Sequence, residues 1–230
     1  MLRLFLPETC IHCGNGCEGN NTQQISKYLC TTCLRQFFLF EPPIQNELRI
    51  KSPFFYELPF EAKIKSAFIF QSGGIIQSVI HHFKYLEMPR LAIILGKECH
   101  ERNISFYTHY DFIVPVPLHR TRYSERGYNQ SEMLAIGIGE AGDIPVAKRK
   151  WLKRTRQTPS QTGKTLEERE ENVRGAFTLS ATGIQELKGK RILLIDDVMT
   201  TGATLASAAS ALAIAKPKTV DVFAMATVIN

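Results

Sequence analysis

No stretch of the 230 residues approaches the roughly 18 consecutive apolar residues of a membrane span, and the apolar run in MLRLFLPETC is too short for a secretory signal. The expectation is a soluble chain in the cytoplasm. Acid is absent from one long segment. From Lys148 to Lys164, KRKWLKRTRQTPSQTGK, there are seven Lys or Arg and no Asp or Glu, so this segment carries more than the whole formal excess of +6. Such a run is either a solvated basic face or the contact for an anionic partner. Tryptophan is nearly absent, and the single one, Trp151, lies inside that segment. Beyond residue 33 cysteine is also nearly absent: Cys99 stands by itself and reads as a small, helix-buried side chain.

Cysteine is instead concentrated at the start. Cys10 and Cys13 form one C-x-x-C pair and Cys30 and Cys33 another, with 16 residues between the pairs. Two knuckles of this kind can point four thiolates at one tetrahedral ion, and the spacing reads as a closed, structural zinc site. Two disulfides are the alternative, which a cytoplasmic location disfavours. His12 and Cys17, the latter in the Gly- and Asn-rich stretch HCGNGCEGNN, could each replace one ligand. With four protein ligands no position is left for substrate.

After the cysteines, residues 37–59 contain four prolines and several aromatics that look exposed, and read as a connector. The expected organisation is a zinc-binding module over 1–45, a connector over 46–65 and one larger domain over 66–230. In that domain SAFIF suggests a strand, and Gly73 and Gly74 open a helix through Tyr85 with Ile76, Val79, Ile80 and Phe83 at helical spacing. A second helix follows from Pro89 to about Glu101. DFIVPVP reads as a strand ended by its prolines, LHRTRYSERGYNQ as the loop after it, and residues 131–140 as a helix. DIPVAKRKW, GAFTL, RILLI and TVDVFAMATV supply further strands, TLEEREENV a short helix or turn, and residues 203–215 an alanine-rich helix. Strands alternating with helices predict an α/β fold with a mostly parallel, twisted sheet covered on both faces.

The sharpest local signal is RILLIDDVMTTGATL. Four aliphatic residues, Ile192 to Ile195, have the continuous apolar character of a central parallel strand, so Asp196 and Asp197 emerge at its carboxyl end, where open α/β sheets bind ligands. Thr200, Thr201, Gly202, Ala203 and Thr204 then lead into a helix amino terminus, where backbone N–H groups, hydroxyls and the helix dipole favour a phosphate. Two ionised carboxylates accept hydrogen bonds only, and they suit the vicinal hydroxyls of a ribose whose phosphate sits in the adjacent loop. A magnesium site or a plain turn before a helix fits the same pattern.

LLIDDVMTTGATL resembles the phosphoribosyl pyrophosphate (PRPP) binding motif of type I phosphoribosyltransferases. The paired cysteines, VPVPLHRTRYSERGYNQSEMLA and KRTRQTPSQTGKTLEEREENVRGAF together resemble the ComF family, associated with competence for DNA uptake, across nearly the whole chain. The resemblance implies a type I phosphoribosyltransferase fold behind a zinc finger. By motif, Asp196 and Asp197 hold the ribose hydroxyls, and Thr200, Thr201, Gly202, Ala203 and Thr204 bind the 5-phosphate. The loop after Val116 takes the pyrophosphate position, with Arg120, Arg122 and Arg126 as candidates. Residues 157–164 match a mobile loop that closes over the site, and magnesium bridges the pyrophosphate oxygens, held by substrate and water.

Two functions of different classes follow. One is a PRPP-binding module that handles single-stranded DNA in uptake and natural transformation, with competence or recombination proteins as partners. The other is an active phosphoribosyltransferase acting on a nucleobase or another nitrogen acceptor in nucleotide metabolism. No segment dictates a base-recognising pocket. For DNA the candidates are Lys150, Trp151, Lys153 and Arg154, since single strands bind in cationic grooves with a stacking aromatic; a lone Trp is more often core. His81 and His82 sit in a helical stretch with one face buried and one wet and are given no catalytic role, Lys84 either reaches the site or solvates its helix, and His119 lies beside the pyrophosphate loop.

Overall fold

The run Ile192 to Ile195 lies in β5 (Arg191–Met199), where all four side chains are fully buried. In a computed structural model the described residues are 9–17, 24–39, 53–102, 107, 109–156 and 175–228. Strand β5 is central in a four-stranded sheet of order β1-β6-β5-β2, with β1 (Ile64–Phe70), β2 (Phe112–Pro115) and β6 (Thr219–Val228). All three pairings are parallel. A strand hydrogen-bonded on both sides and covered on both faces has no wet side, which is why the run is unbroken.

The two faces divide the residues of β5. Ile192 and Leu194 join one core cluster, with α7 (Ala203–Ala213), Trp151 and the hairpin of β3 (Leu152–Arg154) and β4 (Phe177–Leu179). Leu193 and Ile195 join the other, with α2 (Ile75–Tyr85), α3 (Pro89–Arg102) and α5 (Gln130–Gly142). Alternation across the strand makes this partition, since successive side chains leave on opposite faces. Asp111 anchors the far end of the sheet: its carboxylate accepts from Arg191 Nη2 at 2.9 Å, Nε at 3.1 Å and the Arg191 backbone N–H at 2.8 Å. Helices α3 and α5 meet backbone to backbone. A methyl on Gly137 would overlap the Ile93 carbonyl oxygen, and one on Gly96 the Leu134 carbonyl.

The fold alters three expectations. DIPVAKRKW forms no strand; among the described residues it contributes one bridge, Val146 beside Ile113. The stretch after β2 is not all loop. It contains the helix α4 (Arg120–Arg126), which His119 caps and which Gly127 ends at φ 73, where glycine takes a left-handed conformation without penalty. In the described part of the connector the aromatics are not all exposed: Phe54 and Phe55 are buried in the core, while Tyr56 stays exposed. Residues 40–52 and 157–174, with the expected closing loop and TLEEREENV, lie outside the described residues.

The cysteine module is not a separate body. Cys10, Cys30, Cys33 and Phe37, the last in α1 (Thr31–Leu39), share one core cluster with Phe68, Ile76, Val79, Phe83 and Leu95 of the sheet domain. The Phe37 and Phe68 rings lie 4.8 Å apart. Both units carry apolar side chains on their facing sides, and removing these from water joins the units. No helix among the described residues is long and apolar enough to cross a membrane.

Candidate functional site

A cavity of about 410 Å³ opens at the carboxyl end of β5. Asp196 and Asp197 lie in its wall, in the carboxyl-terminal half of β5, which runs on past them to Met199, and each carboxylate is already engaged. Ser131 Oγ donates to Asp196 Oδ1 at 2.8 Å, and the Asp197 backbone N–H donates to the same oxygen at 2.9 Å. Lys84 Nζ stands 2.8 Å from Asp197 Oδ2. Burial pushes the Asp196 carboxyl up to about 7, the adjacent Asp197 charge adds to this, and Ser131, the Asp197 N–H and Lys84 oppose it.

Each partner is placed by its own element. Lys84 is on the last turn of α2, one turn beyond Ile80, at the edge of the stripe that buries Ile76, Val79, Ile80 and Phe83; Ile80 and Lys84 both line the cavity. Ser131 sits in the first turn of α5. The N-cap Asn129 fixes it there, accepting from Ser131 N at 3.2 Å and donating through Nδ2 to the Val116 carbonyl at 3.0 Å. Asn129 thereby ties the end of β2 to the helix beneath Asp196.

On the other side of the acids the chain turns into α7. Gly202 is the N-cap at φ 83, a conformation that any other residue adopts at a cost, and it offers no capping side chain. Thr200 and Thr204 face the cavity. Residues from Asp196 to Leu205 enclose a smaller concavity of about 20 Å³ around Thr201, Gly202 and Ala203. Backbone N–H groups at a helix start, beside hydroxyls, make a place for an anion.

The cationic wall is made by Arg122, Arg126 and Arg154. Arg126 Nη1 donates to Gln130 Oε1 at 3.1 Å. Arg120 is exposed and does not line the cavity, so of the three arginines expected at the pyrophosphate position the fold brings two to the site. His119 serves as the cap of α4, its Nδ1 accepting from Thr121 N at 3.4 Å.

The basic segment divides in two. Lys148, Arg149, Lys150, Lys153 and Arg156 are exposed. Trp151 is 4% exposed and meets Phe112 edge to face at 5.3 Å, so it cannot serve as a stacking platform. The indole is held inside because β3 pairs with β4 and Gly183 leaves room: a Cβ there would stand 3.0 Å from that of Trp151. Arg154 points into the cavity rather than toward a basic outer surface, and burial lowers its pKa while the Asp196 charge opposes this. Strand alternation in β3, with Leu152 and Arg154 inward and Lys153 outward, was the readable signal. Ser131 had no such signal; of the two readings left open for Lys84, the fold has it reach the cavity.

At the amino end the sulfurs of Cys10, Cys13, Cys30 and Cys33 all lie within 4.8 Å of one another. With Zn–S bonds of about 2.3 Å, a tetrahedron has edges of about 3.8 Å, so the set fits one tetrahedral ion. For Cys10, burial disfavours the thiolate, yet backbone N–H groups of Cys13, Cys30 and His12 outweigh it and bring the pKa down to about 6. Neither alternative ligand joins the set. Cys17 is half-buried against the core, its pKa pushed up to about 11 by burial and the neighbouring thiolate charges. His12 Nδ1 is instead 2.9 Å from Ser78 Oγ on α2.

Residues 146–229 match the phosphoribosyl transferase domain family, which takes in β3 through β6 and the Asp196 to Thr204 stretch. The chain is 31% identical to Competence protein F of Haemophilus influenzae over 196 residues, 85% of this chain and 74% of that protein. It is 28% identical to the DNA utilization protein YhgH of Escherichia coli, covering 60% of each, and 33% identical to Competence protein ComFC of Bacillus subtilis over 44% of this chain and 37% of that one. Among solved structures, glutamine phosphoribosylpyrophosphate amidotransferase from B. subtilis overlays 64% of this chain on 30% of its own, with a TM-score of 0.43 and 19% identity. With a cysteine cluster ahead of a parallel sheet, and with similarity to Competence protein F along most of both chains, this protein belongs to the ComF family of competence proteins.

Proposed function

We propose that this chain binds PRPP toward the carboxyl end of β5 and handles single-stranded DNA in uptake and natural transformation; its relatives are named for competence and for DNA utilization. One observation carries the first half. Two adjacent carboxylates, an anion-favouring helix start and the guanidinium groups of Arg122, Arg126 and Arg154 share one cavity. The acids suit the ribose 2- and 3-hydroxyls, the Thr200 to Thr204 loop the 5-phosphate, and the arginines the pyrophosphate. Magnesium fits as an ion held chiefly by pyrophosphate oxygens and water, because Ser131 and Lys84 already engage the carboxylates. When bound, it supplies charge neutralisation of the pyrophosphate. The four cysteines would hold zinc as a closed structural ion.

A second reading, transfer of the phosphoribosyl group to a nitrogen acceptor, is favoured by the same cationic wall. Fixed positive groups that stabilise bound pyrophosphate would also stabilise it as it departs. Calorimetry with PRPP and magnesium tests the binding site. Hydrogen bonds to charged acceptors contribute about 1.5 to 3 kcal/mol each, so Asp197→Ala is expected to weaken binding by roughly one to two orders of magnitude. Unchanged affinity would remove the ribose assignment. Pyrophosphate release in the presence of nucleobases separates the enzyme from the binder.

A further inference from the structure

With Trp151 buried, the exposed basic segment has no indole on which a base could stack. An aromatic surface does exist, at the mouth of the cavity. Tyr85, the last residue of α2, is 60% exposed. Its ring has His81 at 5.2 Å, tilted by 43°, and the Arg126 guanidinium at 5.2 Å from its centroid. Beyond it lies a second cavity of about 330 Å³, lined by Lys84, Tyr85, Glu87, Arg122, Glu125 and Arg126. Lys84, Tyr85, Arg122 and Arg126 line both cavities, so the two adjoin across a shared wall.

We infer that this second cavity is a nucleobase subsite, with Tyr85 and the Arg126 guanidinium as its stacking surface. Charge distinguishes it from its neighbour. Three cations face two carboxylates here, and Lys84 is already paired with Asp197, so the remaining balance is even. An even mixture of donors and acceptors beside a flat aromatic does not select for a phosphate. It suits a planar neutral group carrying both donors and acceptors on its edge, which describes a base. Phosphates attached to that base have the cationic wall of the first cavity next door.

The two walls are held relative to each other. Tyr128 Oη, following α4, donates to the carbonyl of Phe83 on α2, and Arg126 is steadied by Gln130. The surface therefore exists before a ligand arrives, which lowers the ordering cost of binding. The inference rests on the proposed function in one respect, that single-stranded DNA is a ligand; a base of a free nucleotide offers the same stacking chemistry.

Fluorescence anisotropy with an oligo-dT strand and an abasic strand of equal length and charge tests it, with thymidine monophosphate as competitor. The parent is expected to hold oligo-dT more tightly than the abasic strand. Tyr85→Ala should weaken oligo-dT by about tenfold or more and leave the abasic strand unchanged, whereas Tyr85→Phe retains the preference. Displacement by the monophosphate would show that a free nucleotide suffices, and its failure that the strand is needed. The inference is overturned if Tyr85→Ala binds oligo-dT like the parent, if it loses both strands equally, or if the parent binds neither oligo-dT nor the monophosphate. PRPP calorimetry on the parent is a separate measurement, so loss of the phosphoribosyl assignment is distinguishable from loss of this one.

Discussion

Replacing Asp196 by Asn is expected to stabilise the ligand-free protein while impairing ligand binding. An unfolded aspartate titrates near about 3.9, and in the fold Asp196 is raised to about 7, so the folded state binds more protons between those values. The contribution of this group to stability is therefore greatest below about pH 4, falls as pH rises toward 7, and levels off above it. The gap corresponds to a cost on the order of 4 kcal/mol at pH 8. Asparagine removes the charge yet keeps an oxygen for the Ser131 hydroxyl and the Asp197 N–H, both weaker as bonds to a neutral acceptor. A net gain of about 2 kcal/mol remains, and for a chain of this size that raises Tm by about 4 to 8 °C. At pH 4 the gain should vanish. PRPP affinity should fall by about tenfold, since a charged acceptor is lost. Because hydroxyl donors favour the ionised carboxylate, PRPP binding below pH 7 should release protons, visible as calorimetric heats that vary with buffer. Thermal unfolding of parent and variant from pH 4 to 8 is the assay. If Asp196→Asn melts no higher than the parent at pH 8, or if the two share one pH profile, the carboxylate is not destabilising and the reasoning fails.

Three further outcomes are expected. Cys30→Ser should lose the metal and, because the knuckle shares its core with α2, also lower the Tm of the whole chain and weaken PRPP binding through Lys84; metal content, calorimetry and unfolding check all three. Gly137→Ala should destabilise by about 1 to 3 kcal/mol in a denaturant titration despite the better helix propensity of alanine, since the methyl meets the Ile93 backbone and not a movable side chain. Charge reversal at the exposed Lys150 and Lys153 should flatten the salt dependence of single-strand binding by about 0.7 in log–log slope for each phosphate no longer neutralised, and an unchanged slope would make this face solvated surface only.

Sequence by itself determined the central strand and the loop into α7, because a parallel strand buried on both faces must be apolar over its covered length; that β5 continues past the apolar run through Asp196 and Asp197 to Met199 came only with its pairing to β6. Sequence also determined the four-cysteine set, since the knuckle spacing is local. What joined these parts was decided only by tertiary structure. Ser131 lies 65 residues before Asp196, and Lys84 is farther still from Asp197; no local rule links them, and only the packing of α2 and α5 on one face of the sheet brings each pair to 2.8 Å. Trp151 went into the core and Arg154 into the cavity because β3 pairs with β4, a choice no composition of the basic segment reveals. The cysteine knuckle docked on α2 for the same reason: burial stabilises contact between apolar faces wherever the chain brings them together, and that is a property of the folded whole.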